Sequence, residues 1–328
     1  MNKYIQLIRY KNLLLLAFVQ FVMQQVIIAP LLQKFGFEYN SASNSFFLLL
    51  SATLFIASAG YIINDYFDLK IDRINKPDQV IIGNSISKRG AMIFYQILTA
   101  IGMVCGLLLA FQLKSFTLAF LFIVVPGLLW FYAASYKRQF LIGNLIVALL
   151  ALLSVLVVAI TAIASLKLNY GNLVYQTAIP TEIYAWVGGF ALFSFLTNFI
   201  REIIKDMEDI EGDKELECRT MAIVWGVQNT KIFVYSLILI FALLLYVAHA
   251  YYIPFDSSMS WRYLIFGIAL PLLILLYLIF KAQNRNDFHA AASLLKYIML
   301  IGVLYSFVFY FLMAQVYHLP LFNLFILK

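Results

Sequence analysis

Nine long, continuous runs of apolar residues divide this sequence, and they limit its possible folds more than any other feature. A helix needs about 20 apolar residues to cross the hydrocarbon core of a bilayer, whereas a membrane β-strand shows short stretches of alternating polarity. The runs are too long and too continuous for a barrel. The sequence therefore predicts an all-α, polytopic membrane protein with nine transmembrane helices, at roughly 11–32, 44–66, 90–112, 115–134, 141–165, 182–204, 229–250, 261–281 and 292–316.

The composition excludes the soluble alternatives. Of the 328 residues, 64% are hydrophobic and only 12% are charged, whereas a soluble domain has about 25% charged residues. This balance excludes a water-soluble enzyme, a disordered protein and a disulfide scaffold. The net charge of +7 does not indicate a nucleic-acid partner, because most basic residues flank apolar runs. The first run lacks a cleavage signal and is interpreted as a retained helix.

The basic residues predict the orientation of the helices. If the N-terminus lies in the cytoplasm, most of the 23 Lys and Arg residues fall on the cytoplasmic side. The outer side then keeps only Lys34, Lys114, Lys167, Arg262 and Lys328. Because basic loops stay in the cytoplasm, we expect a cytoplasmic N-terminus and, with nine helices, a C-terminus outside.

The acidic residues are concentrated on the same side. Of the 16 Asp and Glu residues, only Glu38, Glu182 and Asp256 fall outside. Most of the others form two clusters, at the inner ends of the second and sixth predicted helices. Each cluster has three aspartates spaced i, i+3 and i+7, which places them on one helical face; they are Asp65, Asp68 and Asp72, and Asp206, Asp209 and Asp213.

Three carboxylates on one face repel each other, and the repulsion is stronger near a bilayer. Carboxylate and amide oxygens without His or Cys suit Mg²⁺, which also accepts phosphate oxygens from a substrate. Asn64 lies on the face of the first cluster, four residues before Asp68. Two such clusters on the same side of the membrane could hold a diphosphate between them through Mg²⁺.

Two other interpretations remain open at this point. Acids at the end of a helix are often only a solvated face, which applies most to the second cluster taken alone. Intramembrane acids also mark cation transporters, but those acids lie near the midplane and often at helix breaks. The helices that carry the clusters here contain no proline between 44–66 or 182–204, which favours an enzyme at the membrane surface.

The two acidic motifs resemble those of the UbiA family of intramembrane prenyltransferases. Asn64-Asp65-x-x-Asp68-x-x-x-Asp72 matches the N-D-x-x-D-x-x-x-D motif of that family, and Asp209-x-x-x-Asp213 matches its D-x-x-x-D motif. The segment from Tyr136 to Asn144 also resembles the basic loop that opens the fifth helix of the family. The resemblance covers most of the chain, since the number of helices and the placement of the motifs both agree.

The resemblance implies a nine-helix bundle around a central cavity and the transfer of a prenyl group from a prenyl diphosphate to a lipophilic acceptor in the membrane. It implies that Asn64, Asp68 and Asp72 hold one Mg²⁺ and that Asp209 and Asp213 hold a second. Asp65 and Asp206 are adjacent catalytic candidates. The candidate substrate-binding residues, besides Asn64, are Arg73, Tyr136, Lys137, Arg138 and Lys205.

Within the family, the run 201–213 looks most like the branch that transfers geranylgeranyl groups to geranylgeranylglycerol phosphate. The sequence departs from the family after Pro77, where it lacks an Arg and prolines that are common there. Quinone precursors and haem therefore remain alternative acceptors. We expect a single domain over 1–328, in which helices 2–5 and 6–9 form two tandem halves.

Overall fold

The computed structural model describes residues 2–37, 44–75, 77–215, 217–253, 258–322 and 325–326. Lys76 and Lys328, which contribute to the expected orientation, lie outside the described residues, as do Glu38 and Asp256. Within these residues nine helices are long and apolar enough to cross a membrane. They are α2 (Tyr10–Lys34), α3 (Asn44–Phe67), α5 (Lys88–Gln112), α6 (Phe116–Ala134), α7 (Ile142–Tyr170), α8 (Ile179–Glu208), α11 (Gly226–Tyr252), α12 (Ser258–Lys281) and α13 (Arg285–Tyr317).

Short elements connect these helices. They are the helices α1 (Lys3–Leu7), α4 (Leu69–Asn75), α9 (Ile210–Glu215) and α10 (Met221–Val224), three 3₁₀ turns (Pro77–Gln79, Tyr136–Arg138 and Gly171–Gln176), and the strands β1 (Pro320–Leu321) and β2 (Phe325–Ile326). The two strands pair in antiparallel fashion, with Pro320 opposite Ile326. The prediction of a nine-helix, all-α membrane protein is confirmed.

Several helices extend beyond the apolar runs that predict them. The sixth, α8, continues to Glu208, and the ninth, α13, begins at Arg285 instead of near 292. The start of α13 is a capping box, in which the Asn284 side chain accepts a hydrogen bond from the Asp287 backbone and the Asp287 side chain accepts one in return. Such a cap satisfies backbone groups at a polar helix end, so a helix can begin before its apolar run does.

Two membrane helices contain a wide, π-helical turn just before a proline. The turns are Met23–Ile28 in α2, ahead of Pro30, and Leu264–Ala269 in α12, ahead of Pro271. A proline has no N–H and its ring clashes with the carbonyl four residues earlier, and in both helices that residue lies within the wide turn. The wider turn accommodates the proline without ending the helix.

The helix α8 joins two parts of the hydrophobic core. It contributes buried side chains to two clusters, one shared with α2, α3, α5, α6, α7 and α13 and one shared with α7, α10, α11, α12 and α13. Its contact with α13 is close because Gly302 leaves room for the ring of Phe193. A third cluster packs Leu7 of α1 against α3, α4 and α5. Through these contacts α8 fixes the second acidic cluster, at its end, relative to the neighbouring helices.

Candidate active site

The first acidic cluster lies where α3 gives way to the short helix α4. Asp68 stands between them and is 3% exposed. Helical hydrogen bonding continues across the break, from the Asp68 N–H to the Asn64 carbonyl (2.9 Å) and from the Asp72 N–H to the Asp68 carbonyl (2.8 Å). The Asn64 side-chain amide donates to the Asp68 carboxylate (2.7 Å). These bonds keep the cluster helical, as its spacing predicts.

The second acidic cluster is built in the same way at the end of α8. Asp209 stands between α8 and the short helix α9. Its N–H donates to the Lys205 carbonyl (2.9 Å), and the Asp213 N–H donates to the Asp209 carbonyl (3.2 Å). The short helices α4 and α9 contact each other. The fold therefore brings the two acidic motifs side by side.

Basic and amide side chains from other helices reach each cluster. Lys137, in the turn between α6 and α7, forms a short ion pair with Asp68. The Arg9 guanidinium pairs with Asp65 (2.6 Å) at the first cluster, and the Arg285 guanidinium pairs with Asp209 (3.4 Å) at the second. The Asn144 side-chain amide donates to Asp206 (2.9 Å). Each of these four aspartates thus has a partner from a distant part of the chain.

The expected ligands are not gathered around one point. Among the described residues, no group of three or more His, Cys, Asp or Glu side chains lies close enough together to hold a metal ion. Their chemistry nevertheless fits Mg²⁺, because Asn64, Asp68 and Asp72 on one side and Asp209 and Asp213 on the other supply only carboxylate and amide oxygens.

The charges on Arg9 and Lys137 are stabilised by their acidic partners. Burial acts to lower the pKa of Lys137, but the Asp68 carboxylate outweighs it and raises the pKa of that ammonium well above its ordinary value. Burial and Asp65 compete in the same way at Arg9, whose pKa is also raised. Both groups therefore carry a positive charge at physiological pH.

The other expected substrate-binding residues occupy different places. Lys205 pairs with Glu202 (3.4 Å) on α8. The ring of Tyr136 packs against Phe131. Arg138 is exposed, and its backbone carbonyl accepts a hydrogen bond from the Arg219 N–H (2.8 Å), which ties the basic turn to the segment after α9.

Arg73 is exposed on α4, and its guanidinium lies beside Gly83 in the loop that follows. Of the basic residues expected to bind substrate, the structure thus places Lys137 directly at a cluster and leaves Arg73 and Arg138 towards solvent.

Four residues at this site were not predicted from the sequence. In the sequence, Arg9 and Arg285 indicate only the orientation of the helices, and no motif gives a role to Glu202 or Asn144. A usable signal existed for Glu202, which lies between Arg201 and Lys205 near the end of a predicted membrane helix, because charges within a membrane helix usually have a partner or a function. No comparable signal existed for Arg9, whose partner Asp65 is 56 residues away.

Comparisons with known proteins identify the family of this chain. Residues 31–301 match the UbiA prenyltransferase family. A curated relative, the digeranylgeranylglyceryl phosphate synthase of Methanosphaera stadtmanae, is 29% identical over 94% of this chain and 97% of that relative.

Solved structures show the same fold. A digeranylgeranylglyceryl phosphate synthase matches 93% of this chain and 96% of its own, with a TM-score of 0.60 and 24% identity. A UbiA homologue from Archaeoglobus fulgidus, bound to DMAPP and Mg²⁺, covers 94% of this chain and 98% of its own, with a TM-score of 0.56 and 17% identity. This chain is an integral, multi-pass membrane enzyme that belongs to the UbiA prenyltransferase family.

Proposed function

We propose that this enzyme transfers a prenyl group from a prenyl diphosphate to geranylgeranylglycerol phosphate, in a reaction that requires Mg²⁺. The observation that carries this proposal is the contact between α4 and α9, which sets the two acidic motifs side by side. The relative from Methanosphaera stadtmanae, similar over nearly its whole length, supports the choice of acceptor. The Archaeoglobus fulgidus homologue, bound to DMAPP and Mg²⁺, supports the donor and the metal.

The two clusters would hold two Mg²⁺ ions, one at Asn64, Asp68 and Asp72 and one at Asp209 and Asp213. Bound there, Mg²⁺ would stabilise the negative charge that develops on the leaving diphosphate. Asp65 and Asp206 would support these ligands, since each lies in a cluster beside them and is held by Arg9 or Asn144 respectively.

Lys137 would bind the diphosphate. Its ammonium pairs with the buried carboxylate of Asp68 and keeps its proton there. A fixed positive charge in a poorly solvated site lowers the barrier for a reaction in which an anion departs. The C–O bond of the prenyl diphosphate breaks and the diphosphate leaves with the electron pair. The acceptor hydroxyl oxygen forms the new C–O bond and releases its proton.

The active site would face the cytoplasm. The inner ends of α3 and α8 carry both clusters, and the positive-inside distribution favours a cytoplasmic location for these ends. The matching positions of the clusters, at the junctions of α3 with α4 and of α8 with α9, support a single domain built from two tandem halves.

The test is a prenyl-transfer assay with purified protein in detergent, with labelled geranylgeranyl diphosphate and a panel of acceptors: geranylgeranylglycerol phosphate, hydroxybenzoate, naphthoate and haem B. We expect product from geranylgeranylglycerol phosphate only, and none after chelation of Mg²⁺. Asp68→Ala and Asp209→Ala should each lower the rate by about 100-fold or more, the usual cost of removing a group that stabilises transition-state charge.

Glu211→Ala is the matched control, because Glu211 is an exposed acid on α9 between Asp209 and Asp213. It should keep the activity of the wild type. Full activity in both aspartate variants would contradict the assignment of the site. Product from an aromatic acceptor alone would contradict the assignment of the acceptor.

A further inference from the structure

The contact between α8 and α13 carries a ladder of charged side chains. At its inner end the charges are complementary, since Asp209 pairs with Arg285 (3.4 Å) and Glu208 lies beside His289 (2.9 Å). The two helices run in opposite directions and pack together along the bundle. Residues earlier in α8 therefore meet residues later in α13, deeper in the membrane.

Two turns deeper, the ladder changes from opposite to like charges. Arg201 lies seven residues before Glu208, and Lys296 lies seven residues after His289. Seven residues span about 10 Å along a helix and return to nearly the same face. The charges of Arg201 and Lys296 act on each other, as this geometry requires. Two cations thus lie at the same level of this contact, at a depth where unpaired charge is costly.

A single carboxylate pairs with two of the cations in this part of the contact. Glu202 accepts a hydrogen bond from the Arg201 guanidinium (2.7 Å) and from the Lys205 ammonium (3.4 Å). The Nε atom of Arg201 is buried and has no hydrogen-bond partner in the described part of the chain. Lys296 is exposed and forms no ion pair with any described residue. Three cations and one carboxylate leave a surplus of two positive charges.

Neighbouring groups reduce this surplus but do not cancel it. The charge of Glu208 also acts on Lys296, and the Glu208 carboxylate is shared with the His289 ring, 2.9 Å away. Asp206 accepts its hydrogen bond from Asn144 on α7.

We propose that Arg201, Lys205 and Lys296 bind the phosphate of the acceptor lipid. A phosphate monoester carries about −1.5 to −2 charges at neutral pH, which matches the surplus. The free Nε–H of Arg201 offers a further donor, and guanidinium groups bind phosphate through several parallel hydrogen bonds. This inference rests on the proposed function, because it names the site for the acceptor of that reaction.

Glu202 separates this site from the one for the donor. Its carboxylate lies close enough to Lys137 for their charges to interact, while its direct partners are Arg201 and Lys205. The diphosphate of the donor would lie on the side of Lys137 and the acidic clusters. The phosphate of the acceptor would lie on the side of Arg201 and Lys296. This division would make the enzyme select acceptors that carry a phosphate over neutral ones.

The test compares Lys296→Gln and Arg201→Gln with Lys281→Gln, a matched control at the inner end of α12 whose ammonium lies over the Tyr277 ring. Two quantities are measured for each: the KM values for geranylgeranylglycerol phosphate and geranylgeranyl diphosphate, and the rise in melting temperature that geranylgeranylglycerol phosphate alone produces. Loss of a hydrogen bond to a charged group weakens binding by about 10- to 100-fold.

We expect the KM for geranylgeranylglycerol phosphate to rise by that factor in both variants, with the thermal shift reduced and the KM for the diphosphate unchanged. Lys296→Gln keeps the test valid if Arg201→Gln does not fold, since Lys296 is exposed. A rise in the KM for the diphosphate instead, or no change in either variant, would overturn the inference while leaving the proposed function intact. A wild-type enzyme that neither binds nor uses geranylgeranylglycerol phosphate would overturn both.

Discussion

The position of Lys137 depends on a glycine behind it. Gly143 lies in the first turn of α7 and packs against the turn Tyr136–Arg138. A Cβ atom at this position would lie 2.9 Å from the Lys137 Cα and 2.9 Å from the Tyr136 carbonyl oxygen. Both neighbours are backbone atoms, so no change of rotamer can relieve the overlap. We therefore expect Gly143→Ala to push the turn, and Lys137 with it, away from α7.

The size of the effect follows from these distances. Ordinary contacts of a Cβ atom begin at 3.4 Å, so the turn must retreat by about 0.5 Å. A misplacement of about 1 Å can cost about 100-fold in rate, which gives about tenfold for half that shift. Overpacking also destabilises a fold by about 1–3 kcal/mol. The ion pair with Asp68 gives this movement a direct path to the active site.

The assay is prenyl transfer by purified Gly143→Ala, with the melting temperature of the protein measured in parallel. Gly189→Ala is the matched control, because Gly189 is exposed on α8 and a Cβ atom there meets nothing within 4 Å. We expect about tenfold lower activity for Gly143→Ala and wild-type activity for Gly189→Ala. Wild-type activity in Gly143→Ala, or an equal loss in both variants, would refute the reasoning.

Two further predictions concern groups outside the reacting centre. Burial raises the pKa of the Cys218 thiol, so less thiolate is present near pH 8 than in an exposed cysteine. In a Cys105→Ala background, iodoacetamide should therefore label Cys218 several-fold more slowly before denaturation than after it. Equal labelling rates would contradict the burial of Cys218. Asn284→Ala removes the cap of α13 and should lower the free energy of unfolding by about 0.5–2 kcal/mol. The measurement is a lower melting temperature with unchanged KM values. An unchanged melting temperature would show that the cap contributes nothing to stability.

Much of the fold could be predicted from the sequence because its main determinant is local. A bilayer requires a long apolar run for each crossing helix, and each run can be recognised without knowledge of its neighbours. The ends of the helices were less predictable. The start of α13 at Arg285 depends on the polar cap around Asn284 rather than on hydrophobicity.

In the candidate site, the acidic motifs could be predicted for the same reason, because their determinant is local. The spacing of Asp65, Asp68 and Asp72 predicts a shared face because neighbours on a helix are set by its period, and backbone hydrogen bonds across the break preserve that period. The partners of these acids were not predictable. Lys137 meets Asp68 across 69 residues of sequence. In the sequence, Lys137 cannot be distinguished from basic residues that remain towards solvent, such as Arg73.

By itself, the sequence determined that this protein lies in a lipid bilayer, how many membrane helices it has and which two helix faces carry its acidic residues. These properties depend on the transfer of side chains into lipid and on the period of a helix, which act over a few residues at a time. Only the tertiary structure decided that α4 packs against α9 and that Arg285 pairs with Asp209 across the contact of α8 with α13. Those pairings depend on how separate helices pack, and helix packing joins residues that are far apart in the chain.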